Sequence, residues 1–172
     1  PTGGLFAPVN GISYDGGGQP ADTLEILGGV ATQLTYTAGA THDAGTLVHT
    51  GAAGTQTIDF AGIAPITDTV AAATLVIKGT TGNDAISVTD GGLVNGQQTT
   101  QVSAATFESI RFANKATVTI DGNGGMDFLT FNNPTVAAGL TEMDVANIGV
   151  VSQTGAVNYT NLSFNNVGLV GL

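Results

Sequence analysis

The chain of 172 residues is long enough for one domain; 26 of its residues are glycine and only 9% are charged, where about 25% is usual. Three basic residues, Lys78, Arg111 and Lys115, stand against 13 carboxylates for a formal net charge of −10, too few cations for the roughly 6–10 phosphates of a nucleic-acid contact and the wrong sign for an anionic membrane. The absence of cysteine excludes disulfides and thiolate chemistry, and a hydrophobic content of 42% argues against a disordered chain.

Gly, Pro and β-branched residues interrupt almost every window that could form a helix. Short alternating runs predict strands instead, in chain order at Thr23–Leu27, Leu75–Ile77, Ala85–Val88, Thr117–Ile120 and Phe128–Phe131, each bounded by Gly, Asn or Asp. Ser103–Ser109 reads as a loop or a short helix. No apolar run reaches the ~18 residues of a membrane-spanning helix, and no basic segment precedes an apolar one as in a signal peptide. The opening Pro1-Thr2-Gly3-Gly4 lacks Met, which reads as a processed protein or a piece of a longer one. So few charges point to an extracellular or cell-surface location.

Three segments share one pattern of apolar residues, a Gly-rich turn, an Asp and a strand: Ile12–Ile26, Leu75–Val88 and Val118–Phe131. The second and third align without gaps, and the first carries one extra residue before Asp22. A longer period relates Thr57–Ile63 to Ala156–Leu162. Strand, turn and strand repeated without helix is what a parallel β-solenoid (β-helix) requires, with Gly and Asn turning the corners. At roughly 20 residues per three-sided coil the chain would form about eight coils. The alternative is an antiparallel β-sandwich. Residues 1–172 read as a single β-repeat domain, one long unit with parts of its neighbours.

Gly122–Thr130 and Gly79–Ser87 follow the calcium-binding nonapeptide G-G-x-G-x-D-x-U-x except for its second Gly. That makes Asp84 and Asp127, with Asp22 of the first repeat, the candidate calcium ligands. Calcium needs six to eight oxygens, and each nonapeptide here stands alone, about forty residues from the next. The simpler reading is that these carboxylates accept hydrogen bonds from N–H groups of their own turns, so that no cofactor is required and calcium is an optional ligand. His42 and His49 read as exposed residues flanking a turn near Ala44-Gly45, and Glu108 with Arg111 as a solvated ion pair. No nucleophile elbow and no distinct carboxylate pair appears, so an enzyme is not expected. Asn158-Tyr159-Thr160 and Asn161-Leu162-Ser163 are glycosylation sequons by pattern, of no expected consequence in a bacterial protein. The end segments, Pro1–Asn10 and Val167–Leu172, are apolar and Gly-spaced, as expected where identical subunits stack end to end.

The order Ile58–Ile66, Gly82–Ile86, Phe107–Lys115, Val118–Asp127 and Asn132-Asn133-Pro134 resembles a tandem β-repeat of very large bacterial surface and secreted proteins. The resemblance covers about half of the chain and implies an extracellular structural, adhesive or matrix role. Together these readings predict a non-enzymatic module of a bacterial surface layer, fibre or filament, with a carbohydrate-binding or adhesin module, taking a glycan as its partner, as the alternative.

Overall fold

The computed structural model describes residues 6–19, 22–133 and 135–172. Its described residues form sixteen strands and no helix: β1 Ile12–Asp15, β2 Leu24–Ile26, β3 Gln33–Ala38, β4 Gly45–Gly51, β5 Gly54–Ala61, β6 Ile66–Asp68, β7 Ala72–Lys78, β8 Ala85–Val94, β9 Gln97–Ala104, β10 Phe107–Phe112, β11 Lys115–Asp121, β12 Phe128–Asn133, β13 Glu142–Ala146, β14 Val150–Val157, β15 Asn161–Asn165 and β16 Leu169–Gly171. All five predicted runs are strands. The segment Ser103–Ser109 is a hairpin turn at Ala105-Thr106, not a helix.

The strands make two mixed eight-stranded sheets, ordered β1-β5-β4-β3-β7-β11-β13-β15 and β16-β14-β12-β8-β9-β10-β6-β2. Antiparallel pairing is confined to two hairpin sets, β3–β4–β5 and β8–β9–β10; the other pairs are parallel. Chain order explains this arrangement. β7 lies in the first sheet and β8 in the second, and the pairs β11/β12, β13/β14 and β15/β16 repeat the alternation, each strand laid parallel on its predecessor. The strands therefore occupy two faces, where the sequence predicted three.

The alternation of side chains along each strand then builds one core. Leu75 and Ile77 on β7, Val118 and Ile120 on β11, and Met143 and Val145 on β13 point inward from the first sheet. Ile86 and Val88 on β8, Leu129 and Phe131 on β12, and Val151 on β14 meet them from the second. Burying an aliphatic or Phe side chain of this kind contributes about 1.5–3 kcal/mol, so the two sheets are held by their shared face. The outward positions of the same strands mix Thr and Ser, for example Thr117 and Thr119, with charged residues such as Lys78, Glu142 and Asp144.

The gap-free sequence repeat is a structural repeat. Val118 pairs with Leu75 and Phe128 with Ala85, so the two segments are neighbouring turns of the stack. The long-period resemblance is not. Ile58–Phe60 lies within β5, whereas the matching Val157–Tyr159 leaves the end of β14, and its Tyr159 packs edge-on to Phe131. A shorter period is also present: β13 and β15 pair in register, Asp144 with Ser163, 19 residues apart, and β14 pairs with β16. Corners are turned by positive-φ residues, Asn123, Asn147 and Asn166 among them, and Asn166 Nδ2 donates to Asn147 Oδ1 while Asn147 Nδ2 donates to Asp121 Oδ1.

Candidate functional site

Two of the three predicted calcium residues come together. Asp84 and Asp127 sit in successive corners, just before β8 and β12, and both are buried. The Asp84 N–H donates to Asp127 Oδ1 at 2.8 Å across 43 residues. The corners are thus stacked, not isolated as the spacing implied, because the β9–β10 hairpin absorbs the intervening chain within the same sheet. Asp84 is fully engaged: its Oδ2 accepts from Thr80 N at 2.8 Å, and its Oδ1 accepts from the hydroxyls of Thr80 and Thr106. Asp127 Oδ2 is buried with no hydrogen-bond partner. The arrangement is a latch in which Asp84 ties its own turn and Asp127 ties the preceding corner. Asp22 does not join it. It lies beside β2, at the far edge of the second sheet, where its carbonyl accepts from Ala64 N at 2.7 Å. Among the described residues, no three His, Asp or Glu side chains are grouped to hold a metal.

Burial raises the Asp127 pKa; the Asp84 N–H opposes the shift, and the nearby Asp84 and Asp121 carboxylates add to it. Folding therefore favours the protonated form, so this group's contribution falls as pH rises from the ordinary carboxylate range through the raised folded value. Asp127→Asn keeps the acceptor for Asp84 N–H and removes the charge. We expect its stability relative to the parent protein to be greater at pH 7 than at about pH 4. Urea unfolding of both proteins at the two pH values checks this, and an advantage that is larger at the acidic pH would be the wrong sign.

The remaining sequence candidates are rearranged. His42 lies exposed in the β3–β4 turn, its Nδ1 3.8 Å from Glu108 Oε2. Glu108 and Arg111 do not form a solvated pair. Glu108 is buried and accepts from Ser109 N and Oγ, and Arg111 Nε donates to Gln101 Oε1. The cause is a break in register on β10 between Phe107 and Ile110, which turns both Phe107 and Glu108 inward.

His49 is not an exposed turn residue. β4 continues past the turn to Gly51 and pairs on both edges, so His49 shares the inward phase of Leu47 and is fully buried. There it meets two residues the sequence reading did not single out as a site. Asp68 ends β6 and Lys115 begins β11, and both are also fully buried. His49 Nε2 lies 2.6 Å from Asp68 Oδ2, and Lys115 Nζ donates to Asp68 Oδ1 at 2.7 Å. Asp68 Oδ1 accepts from Val70 N as well, and Lys115 Nζ donates to the carbonyls of Val70 and Ala113. His49 Nδ1 has no partner. Burial lowers the Lys115 pKa, while the Asp68 charge and its hydrogen bond oppose that shift. The triad draws on both sheets: β4 and β11 belong to the first and β6 to the second. Two signals point to it in the sequence, the Leu47/His49 alternation and a lone carboxylate inside the uncharged run Ile66-Thr67-Asp68-Thr69-Val70.

No protein family, curated protein or solved structure matches the chain.

Proposed function

We propose that this chain is a non-enzymatic, extracellular β-solenoid module, a stack of two-sided coils, that assembles copies of itself into a fibre, filament or surface layer. The observation that carries the reading is the placement of the open sheet edges. β15 and β16 lie together at one end of the stack, β1 and β2 at the other, and all four pair in parallel with the strand beneath. An edge strand presents unpaired N–H and C=O groups, and parallel addition of β1 and β2 of one copy to β15 and β16 of the next continues both sheets. Such a contact joins different surfaces of two copies, and so propagates instead of closing. Phe164, Leu169 and Val170 are exposed on the β15/β16 edge, where a further coil would cover them. The Thr- and Ser-bearing outer faces and the resemblance to bacterial surface repeats fit the same role. Of the N-terminal apolar segment, Pro1–Leu5 lie outside the described residues, while Phe6 and Val9 are exposed.

Subunits carrying −10 each repel one another, so assembly is expected to strengthen with ionic strength. Electron microscopy of the purified chain at low and at about 0.15 M salt is the test. Filaments or sheets that lengthen with salt, and that are lost in Val170→Lys, support the reading. A monodisperse monomer under both conditions overturns it, and glycan-array binding by that monomer would make the chain a carbohydrate-binding module instead.

A further inference from the structure

We propose that Lys115 and Asp68 condense into an intramolecular isopeptide bond, with His49 as the acid–base group, so that the folded chain carries a covalent tie between its two sheets. The reacting atoms are already adjacent. Lys115 Nζ is 2.7 Å from Asp68 Oδ1, and adding one carboxyl C–O length of ~1.2 Å puts the nitrogen within about 3.9 Å of the carboxyl carbon. The pair is held from several sides. The carbonyls of Val70 and Ala113 fix the amine, and the Val70 N–H fixes the carboxylate.

The surroundings suit the chemistry. All three side chains are fully buried. A dry site disfavours ions, and transfer of one proton from the ammonium to the carboxylate leaves an amine and a carboxylic acid, the nucleophile and the electrophile of amide formation. The lowered Lys115 pKa acts in the same direction. His49 Nε2 is 2.6 Å from Asp68 Oδ2, the oxygen that must leave, and no other group engages the ring, because Nδ1 has no partner.

The step balances without a co-reactant. The Nζ lone pair attacks Asp68 Cγ, the Nζ–Cγ bond forms, and the Cγ–Oδ2 bond breaks. Two of the three ammonium protons depart with Oδ2 as water, relayed to that oxygen through His49 Nε2, which ends in its starting protonation state. One positive and one negative charge vanish together, so the net charge of the chain is unchanged. The remaining amide N–H donates to the carbonyl of Val70 or Ala113. The bond closes a loop spanning 47 residues and joins the end of β6 to the start of β11.

The test is the intact mass of the purified full chain measured under denaturing conditions. A mass lower than the sequence mass by one water is expected. Trypsin supplies an independent check, because the only basic residues are Lys78, Arg111 and Lys115. A condensed Lys115 resists cleavage, so peptide 1–78 is recovered joined to 112–172. The uncondensed sequence mass, with free peptides 1–78 and 116–172, overturns the proposal, and it does so on the parent protein with no variant required to fold. Lys115→Arg keeps the positive charge without a competent amine and is expected at its full sequence mass; a loss of water there would mean that some other pair had reacted. His49→Gln is expected to show mostly uncondensed chain with unchanged far-ultraviolet circular dichroism. Complete condensation in His49→Gln would remove His49 from the reaction.

Discussion

In urea unfolding, Lys115→Met is expected to fall about 3–5 kcal/mol below the triple variant His49→Leu/Asp68→Leu/Lys115→Met, although the single variant changes less of the protein. The reason lies in what each leaves behind. Lys115, Asp68 and His49 are fully buried and satisfy one another: the ammonium faces Asp68 Oδ1 and two carbonyls, and the imidazole faces Asp68 Oδ2. Removing the cation alone leaves the Asp68 carboxylate without its counter-charge in an apolar interior, whereas the carbonyls of Val70 and Ala113 lose their donor in both variants. Removing all three polar groups strands no charge and fills the same space with hydrocarbon, which in comparable buried ion networks is neutral or stabilising. Neither variant retains both the amine and the carboxyl, so the comparison measures desolvation alone and is independent of any covalent bond. A triple variant less stable than Lys115→Met would mean that the cluster is held by shape and hydrogen bonding of Asp68 to Val70 N–H, not by charge compensation.

The triad also marks where sequence reasoning stops. Strand content was legible, because runs such as Val118-Thr119-Ile120 alternate cleanly and end at Gly, Asn or Asp, and the gap-free alignment of Leu75–Val88 with Val118–Phe131 was legible too, although their pairing, β7 on β11 and β8 on β12, is seen only in the structure. The contact between Asp84 and Asp127 was not legible. The linear distance between them counts the β9–β10 hairpin, whose strands extend the second sheet on the β6 side of β8 and leave its other edge to β12. Glu108 was misread for a local reason: a register break puts two consecutive residues, Phe107 and Glu108, on one face, and no period-2 template anticipates that. The 19-residue repeat of Asp144-Val145-Ala146-Asn147-Ile148-Gly149 against Ser163-Phe164-Asn165-Asn166-Val167-Gly168 was present to be read. Its identities are confined to Asn and Gly, the corner residues, while the strand positions keep at most their polarity, and Ala146 against Asn165 not even that. His49, Asp68 and Lys115 come from three strands, 19 and 47 residues apart along the chain, and a contact of that kind leaves no spacing motif. Only the phase of His49 with Leu47 and the lone carboxylate of Ile66-Thr67-Asp68-Thr69-Val70 betray it.

The corner glycines offer a graded prediction, since the same residue type does different things within a few positions. Gly79 and Gly122 do not have positive φ; what they provide is room for a carboxylate. A Cβ built on Gly122 would lie 2.1 Å from Asp127 Oδ2 and 2.4 Å from the carbonyl oxygen of Asn147. Asp127 is pinned by the Asp84 N–H, and the Asn147 backbone is part of the next coil, its N–H donating to Asn165 O, so neither neighbour yields cheaply. Gly122→Ala should therefore cost about 2–3 kcal/mol by overpacking. On Gly79 the added Cβ would meet Asp84 Oδ2 at 2.5 Å but the nearest backbone atom, Gly122 O, only at 3.1 Å, so Gly79→Ala should cost about 1–2 kcal/mol. Gly82 has its nearest neighbour, Thr80 Oγ1, at 3.6 Å, an ordinary contact. Gly82→Ala should change stability by no more than ~0.5 kcal/mol, or raise it by restricting the unfolded chain. Thermal and urea unfolding of the three variants distinguish close approach from turn conformation as the source of the glycine requirement. Equal losses at all three positions would attribute it to backbone flexibility, whereas the order Gly122, Gly79, Gly82 attributes it to the buried carboxylates that fold back onto their own turns.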